Sequence, residues 1–207
     1  MRNDTELSDD TTPPQPRRRG RPRGFDPQTA LRAATERFRT GGYAGTSLDE
    51  LAAATGLNRP SLYAAFGDKR ALYLAALDAV AARAERGFAR LREAGLPLRA
   101  MLEQLFARVI DGYMTGEDRP AGCVMVSTAA TASLDDPAVC ARFADFLAME
   151  DREVAALLAA AGHPAPDADA VIVTAMIHSL SARARAGAAR AELDALAARC
   201  IDVVAPA

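Results

Sequence analysis

Thr46-Ser47-Leu48-Asp49-Glu50-Leu51-Ala52-Ala53-Ala54-Thr55-Gly56-Leu57-Asn58-Arg59-Pro60-Ser61-Leu62-Tyr63-Ala64-Ala65-Phe66 is the stretch on which the reading of this chain turns. Ser47, followed three residues later by Glu50, has the form of a capping box and starts a helix. Asn58 can cap a second helix, whose first turn holds Pro60, where a missing N–H does no harm. Between them Gly56 allows the left-handed backbone of a tight turn, and Ala52 to Ala54 are small enough for a close crossing. Two short helices joined in this way make a helix-turn-helix. Leu48, Leu51, Leu57, Leu62 and Phe66, with Phe38 from upstream, supply a small core. The second helix then turns Arg59, Ser61 and Tyr63 outward, donor-rich groups suited to base edges and phosphate oxygens in a major groove. A plain helical hairpin carries the same caps and glycines, so the flanking sequence has to separate the two readings.

Upstream lies Arg17-Arg18-Arg19-Gly20-Arg21-Pro22-Arg23, without a single acid. Its Arg-Gly-Arg-Pro portion suits a narrow minor groove, with Arg19 and Arg21 as the contacting side chains. The net charge of -2 conceals an uneven distribution. Residues 17–70 hold eleven bases and five acids, whereas residues 71–207 hold thirteen bases and eighteen acids. A positive block inside an acidic protein marks a face for a polyanion. Residues 1–23 are rich in proline and lack any apolar period, which predicts a disordered arginine-rich tail.

On these residues the segment 26–73 resembles the DNA-binding domain of the TetR family of bacterial transcriptional regulators. The likeness is carried by Gly41-Gly42-Tyr43, Thr46-Ser47, Ala52-Ala53-Ala54-Thr55-Gly56-Leu57, and the run from Ser61-Leu62-Tyr63 to Asp68-Lys69-Arg70-Ala71-Leu72-Tyr73. The resemblance implies that Thr46, Ser47, Tyr63 and Lys69 touch phosphates while Arg59, Pro60 and Ser61 face the bases. It also implies an all-α homodimer with a variable ligand-binding region. Ala64 and Ala65 stand where the family often has His and Tyr, and Pro60 stands where it commonly has Gly.

The rest of the chain reads as helix, at about 26–40, 47–54, 59–65, 69–94, 98–115, 121–134, 137–161, 167–187 and 189–204. The fold class expected is all-α. An N-terminal three-helix helix-turn-helix domain (24–70) is followed by a C-terminal helical bundle (71–207) for ligand binding and dimerisation. With 50% hydrophobic and 25% charged residues the composition is that of a globular protein. No apolar run is long enough to cross a bilayer and no secretory signal opens the chain, so a cytoplasmic location is expected. Three widely spaced cysteines and two histidines complete no zinc pattern, and neither metal nor cofactor is expected.

In the C-terminal half, Phe106, Met125, Phe143 and Met176 offer an apolar lining for a small effector, with Cys123 and His178 as its polar contributors. Cys123 follows Pro120 near an expected helix start, where the helix dipole favours the thiolate; the other reading is a small buried hydrophobe. A Gly-Cys at this place also resembles a TetR subgroup that includes sensors of electrophiles and oxidants. Dimerisation is expected through Val171, Thr174, Ala175 and Ala182 of the eighth helix with Leu193, Leu196, Cys200 and Val204 of the ninth. Together these features predict a ligand-responsive repressor that grips a palindromic double-stranded DNA operator as a homodimer. A small apolar or electrophilic effector would release it. A sequence-independent structural DNA-binding protein is the alternative. A helical-bundle enzyme finds no nucleophile–base pair or phosphate loop to support it.

Overall fold

The computed structural model describes residues 25–116 and 119–206; the tail, with Arg19 and Arg21, lies outside the described residues. Among these residues there are nine α-helices and no strand, in agreement with the all-α expectation. They are α1 (Pro27–Gly45), α2 (Leu48–Thr55), α3 (Arg59–Phe66), α4 (Lys69–Glu93) and α5 (Leu98–Tyr113). Then come α6 (Ala130–Ala132), α7 (Pro137–Ala160), α8 (Pro166–Arg185) and α9 (Arg190–Val204). Caps set the starts. Asp26 accepts the N–H groups of Gln28 and Thr29 at 3.1 and 3.0 Å, and Asp68 accepts that of Ala71 at 2.7 Å. Near its end α1 breaks at Gly42, whose φ of 74° and ψ of 171° leave the helix, as Gly41-Gly42 led one to expect.

α4 has 25 residues and is about 37 Å long. It packs on α1 and α3 and, from the Arg70–Asp136 pair at its start to the Arg92–Glu153 pair near its end, on α7, so a single rod joins the helix-turn-helix to the bundle. The buried core is continuous along it. Phe38, Leu51 and Leu62 belong to the same cluster as Tyr73, Leu77, Phe106, Leu157 and Val204, while Leu48, Leu57 and Phe66 pack at its margin. The Phe38 and Tyr73 rings meet edge to face at 4.9 Å, and Tyr43 lies 4.8 Å from Tyr73.

The sixth helix departs from expectation. Residues 121–123 are not helical, and the first full turn, Met125–Ala129, is a π-helix that runs into α6. The hydroxyls of Ser127 and Thr128 donate to the carbonyls of Cys123 and Val124, four residues back, a back-bonding that bends helices. Thr128 is further tied to α4, its hydroxyl 2.8 Å from that of buried Tyr73.

Candidate nucleic-acid interface and its connection to the bundle

The helix-turn-helix is built by the local signals read from its sequence. The Ser47 hydroxyl accepts the Glu50 N–H at 3.2 Å, and the Glu50 carboxylate accepts the Ser47 N–H at 2.7 Å, closing the capping box. That N–H, then the Arg37 guanidinium and the Ser47 hydroxyl, hold the Glu50 carboxyl at a pKa of about 2. Gly56 turns the chain at a φ of 68°, and Asn58 caps α3 by accepting the Ser61 N–H at 2.9 Å.

α3 thereby presents Arg59, Pro60 and Tyr63 to solvent, with Ser61 half-buried. Arg59 does not wave freely. Its Nε and Nη2 donate to the two carboxylate oxygens of Asp49 on α2, at 2.8 and 2.6 Å. Ser47 is exposed, and the Lys69 ammonium lies 4.6 Å from the centre of the Tyr43 ring. Thr46 needs correction. Its side chain is buried and donates to the Gly42 carbonyl at 2.7 Å, closing the end of α1, so its hydroxyl is not presented to a phosphate.

Three arginines bind this region to the bundle. Buried Arg39 of α1 donates to the Gly122 carbonyl at 3.0 Å and to the Thr115 hydroxyl at 3.1 Å. Arg185, in the last turn of α8, donates to the carbonyls of Arg39 and Ala121 at 2.7 and 3.2 Å. Arg70 at the start of α4 forms a two-pronged pair, at 2.5 and 2.9 Å, with Asp136, the N-cap of α7. The segment 121–123 is thus clamped from both sides. Gly122 lies so close to α8 that an added Cβ would meet the Ser181 carbonyl oxygen at 2.7 Å. The Ser181 hydroxyl in turn accepts the Cys123 N–H at 2.8 Å.

Of the six residues expected to meet an effector, Phe106 and Met125 are fully buried core, while Cys123, Phe143, Met176 and His178 are partly exposed. Cys123 and His178 share one neighbour, the buried carboxylate of Glu150. It lies 2.6 Å from His178 Nε2 and close enough to raise the Cys123 thiol. Tyr113 is the fourth member, its phenol pushed well up by burial and by the nearby Cys123 and Glu150. Sequence reasoning missed Glu150 and Tyr113. Glu150 follows Phe146 by four residues and precedes Val154 by four, an acid in a buried helical register, and that pattern could have found it. The expected lowering of the Cys123 thiol is overturned. Burial pushes it up to about 11, outweighing the N–H groups of Val126 and Met125 that reach the sulfur. A groove of about 460 Å³ is lined instead by Leu98, Arg99, His163, Asp169, Val203 and Val204.

The interface expectation is corrected by register. Thr174, Leu193, Cys200 and Val204 are buried in the single chain and face its own core, so no partner can cover them. On α8 Val171, Ala175 and Ala182 are exposed as expected, joined by Ile172; on α9 Leu196 is half-buried and Val203 exposed.

A short, capped second and third helix with cationic and aromatic donors exposed on the third defines a helix-turn-helix DNA-binding protein. Comparison with known proteins is specific. The sequence pattern of the bacterial regulatory proteins of the tetR family matches residues 30–76. The HTH-type transcriptional repressor ComR of Escherichia coli (strain K12) is 33% identical over 199 residues, spanning 90% of this chain and 92% of that protein. EthR of Mycolicibacterium smegmatis, an HTH-type transcriptional regulator, is 38% identical over 79 residues, 38% of this chain and 36% of its own. Among solved structures, a cysteine mutant of the TetR family regulator CifR, complexed with a 26 bp double-strand operator DNA, superposes with a TM-score of 0.77. It is 26% identical and covers 89% of this chain and 100% of its own. The chain belongs to the TetR family and is a DNA-binding transcriptional regulator, not an enzyme.

Proposed function

We propose that the chain is a cytoplasmic, ligand-responsive repressor, in which residues 24–70 read a palindromic operator and residues 71–207 bind an effector and dimerise. The observation that carries this reading is the exposed face of α3, where Arg59, Pro60 and Tyr63 project from a rigidly capped helix-turn-helix. One such helix contacts too few bases to locate a site, whereas two held about 34 Å apart read successive turns of major groove. The exposed apolar positions Val171, Ile172, Ala175 and Ala182 of α8 and Val203 of α9, with half-buried Leu196 beside them, support a two-fold pairing of these helices. Similarity to a named repressor and to a regulator bound to operator DNA supports the sign and the target.

Effector action is assigned to the cluster of Cys123, Tyr113, Glu150 and His178. The clamp on residues 121–123 and the continuous rod of α4 are the routes by which a change there reaches α1 and α3. The ligand must favour the non-binding conformer by a few kcal/mol, about tenfold in operator affinity for each 1.4. Selection of bound sequences from random duplex DNA tests the reading. An inverted repeat with half-sites one helical turn apart is expected, with binding that weakens steeply as salt rises. Enrichment without inverted symmetry would refute the homodimeric mode, and a flat salt response would refute phosphate anchoring. A mild electrophile added to the same assay tests the thiol: release that persists in Cys123→Ser excludes that residue as the sensor.

A further inference from the structure

The pairing of Arg59 with Asp49 was not foreseen from sequence and is not needed to hold the fold. The two side chains are 54% and 74% exposed, and exposed ion pairs contribute little to stability. The helices they join are already fixed by the capping box, by Gly56 and by the burial of Leu51 and Leu62. What the pair does fix is the direction of a guanidinium.

Of the five N–H groups of an arginine, Asp49 takes the one on Nε and one on Nη2. The edge that remains carries one N–H from each Nη, parallel and pointing away from the carboxylate. That fork matches the N7 and O6 acceptors of guanine in the major groove, the commonest specific contact of arginine. Adenine offers an acceptor and a donor at the corresponding atoms, so the same fork rejects it. A long flexible side chain held by one edge before DNA arrives loses less rotamer freedom on binding.

We propose that Asp49 is a specificity-determining residue of the operator complex, which holds Arg59 by one edge so that its other edge reads a guanine in each half-site. This rests on the reading that α3 faces the bases. Asp49 itself touches no base; it acts through Arg59 and is a positioning residue. Tyr63, one turn along α3, is near enough to influence the Arg59 charge. In this geometry each group favours the charged form of the other, which lowers the Asp49 carboxyl and raises Arg59.

The test uses the full-length protein and duplexes carrying the sequence enriched from a random library, with every half-site position changed in turn to the other base pairs. Affinities of wild type, Arg59→Ala, Asp49→Asn and Asp49→Ala are compared, with circular dichroism to report folding. Asp49→Asn keeps the shape of the side chain and the start of α2, so it stays informative if the alanine variant is destabilised. Arg59→Ala is expected to erase the preference at one base pair, a guanine. At that same base pair Asp49→Asn is expected to reduce the preference about tenfold and leave the other positions unchanged. Its affinity for unrelated duplex stays equal or rises, because an anion beside the phosphates has gone. A merely structural role would weaken all duplexes together, the opposite pattern. Replacing the guanine by 7-deazaguanine, which lacks the N7 acceptor, should weaken wild type but not Arg59→Ala.

If Arg59→Ala alters no position, the reading of α3 fails and the proposal with it. If Arg59→Ala relaxes a position that is not guanine, or if Asp49→Asn leaves the guanine preference intact or weakens every duplex equally, the proposal alone is overturned.

Discussion

Gly122→Ala isolates the clamp between the DNA-binding helices and the bundle. Two separate penalties meet at this residue. Its φ of 67° lies in the left-handed region, which costs an alanine about 1–2 kcal/mol. The new Cβ would also sit 2.7 Å from the Ser181 carbonyl oxygen and 2.9 Å from its hydroxyl, where ordinary contact begins at 3.4 Å. Relief requires a shift of roughly 0.7 Å, and Ser181, buried in α8, cannot give way, so residues 121–123 must. That movement strains the bond from Cys123 N–H to Ser181 and the one from Arg39 to the Gly122 carbonyl. Losing the first costs about 1 kcal/mol and losing the second, made by a charged donor, about 2. The total is about 4–5 kcal/mol. Gly162→Ala is the matched control, because φ there is 78° but nothing lies within 4 Å of the added carbon. It should cost only the backbone penalty. Urea unfolding followed by far-UV circular dichroism, at one fixed protein concentration, should therefore separate the two variants by about 3 kcal/mol with similar slopes. Equal midpoints, or a separation under about 1 kcal/mol, would refute the claim that close approach rather than backbone conformation defines this glycine.

Cys123 should alkylate slowly, since burial places its thiol at about 11; exposed Cys140 should react first. Mass spectrometry after timed exposure to N-ethylmaleimide should show the Cys123 rate rising about tenfold per pH unit between pH 7 and 9, and a rate level over that range would contradict the assignment. Asp136 accepts from Arg70, which holds its carboxyl at a pKa of about 2, below the usual aspartate value of about 3.9, so its contribution is full above that usual value and is lost as pH falls through 2. The gap in urea midpoint between wild type and Asp136→Asn should be full at pH 7, narrow as pH falls below about 4 and close only below pH 2; a constant gap would deny the pair its role. Val203 is 67% exposed in the single chain, so Val203→Glu should leave the circular dichroism spectrum unchanged. In sedimentation it should convert dimer to monomer and weaken operator binding, and a dimer that persists would remove Val203 from the interface.

Helix-turn-helix residues were legible because their signals are local. Ser47 with Glu50, Gly56 and Asn58 each act within four residues, and the structure places every one as its chemistry requires. Thr46 was misjudged because its partner, the Gly42 carbonyl, becomes available only where α1 breaks. On α9 the three- and four-residue spacing of Leu193, Leu196, Cys200 and Val204 marks an apolar stripe correctly but cannot say which surface it meets. That stripe meets its own chain, and Val203, one residue away in register, remains outside. The π turn was invisible because Met125-Val126-Ser127-Thr128-Ala129 suits a helix; its widening comes with hydroxyl bonds to carbonyls four residues back. Asp49 and Arg59 lie ten residues apart on different helices, and no periodicity joins them.

The joint between α1 and α8 is made almost wholly from arginine side chains and main-chain oxygens. Carbonyls are common to all twenty amino acids, so Thr40 and Ala121 can be exchanged without removing the oxygens that Arg185 engages. Evolution is left with few fixed points there, namely the two guanidiniums and the glycine that lets the loop approach. A lineage can therefore vary the residues around Glu150 while the contacts that Arg39 and Arg185 make with the main chain keep the same wiring.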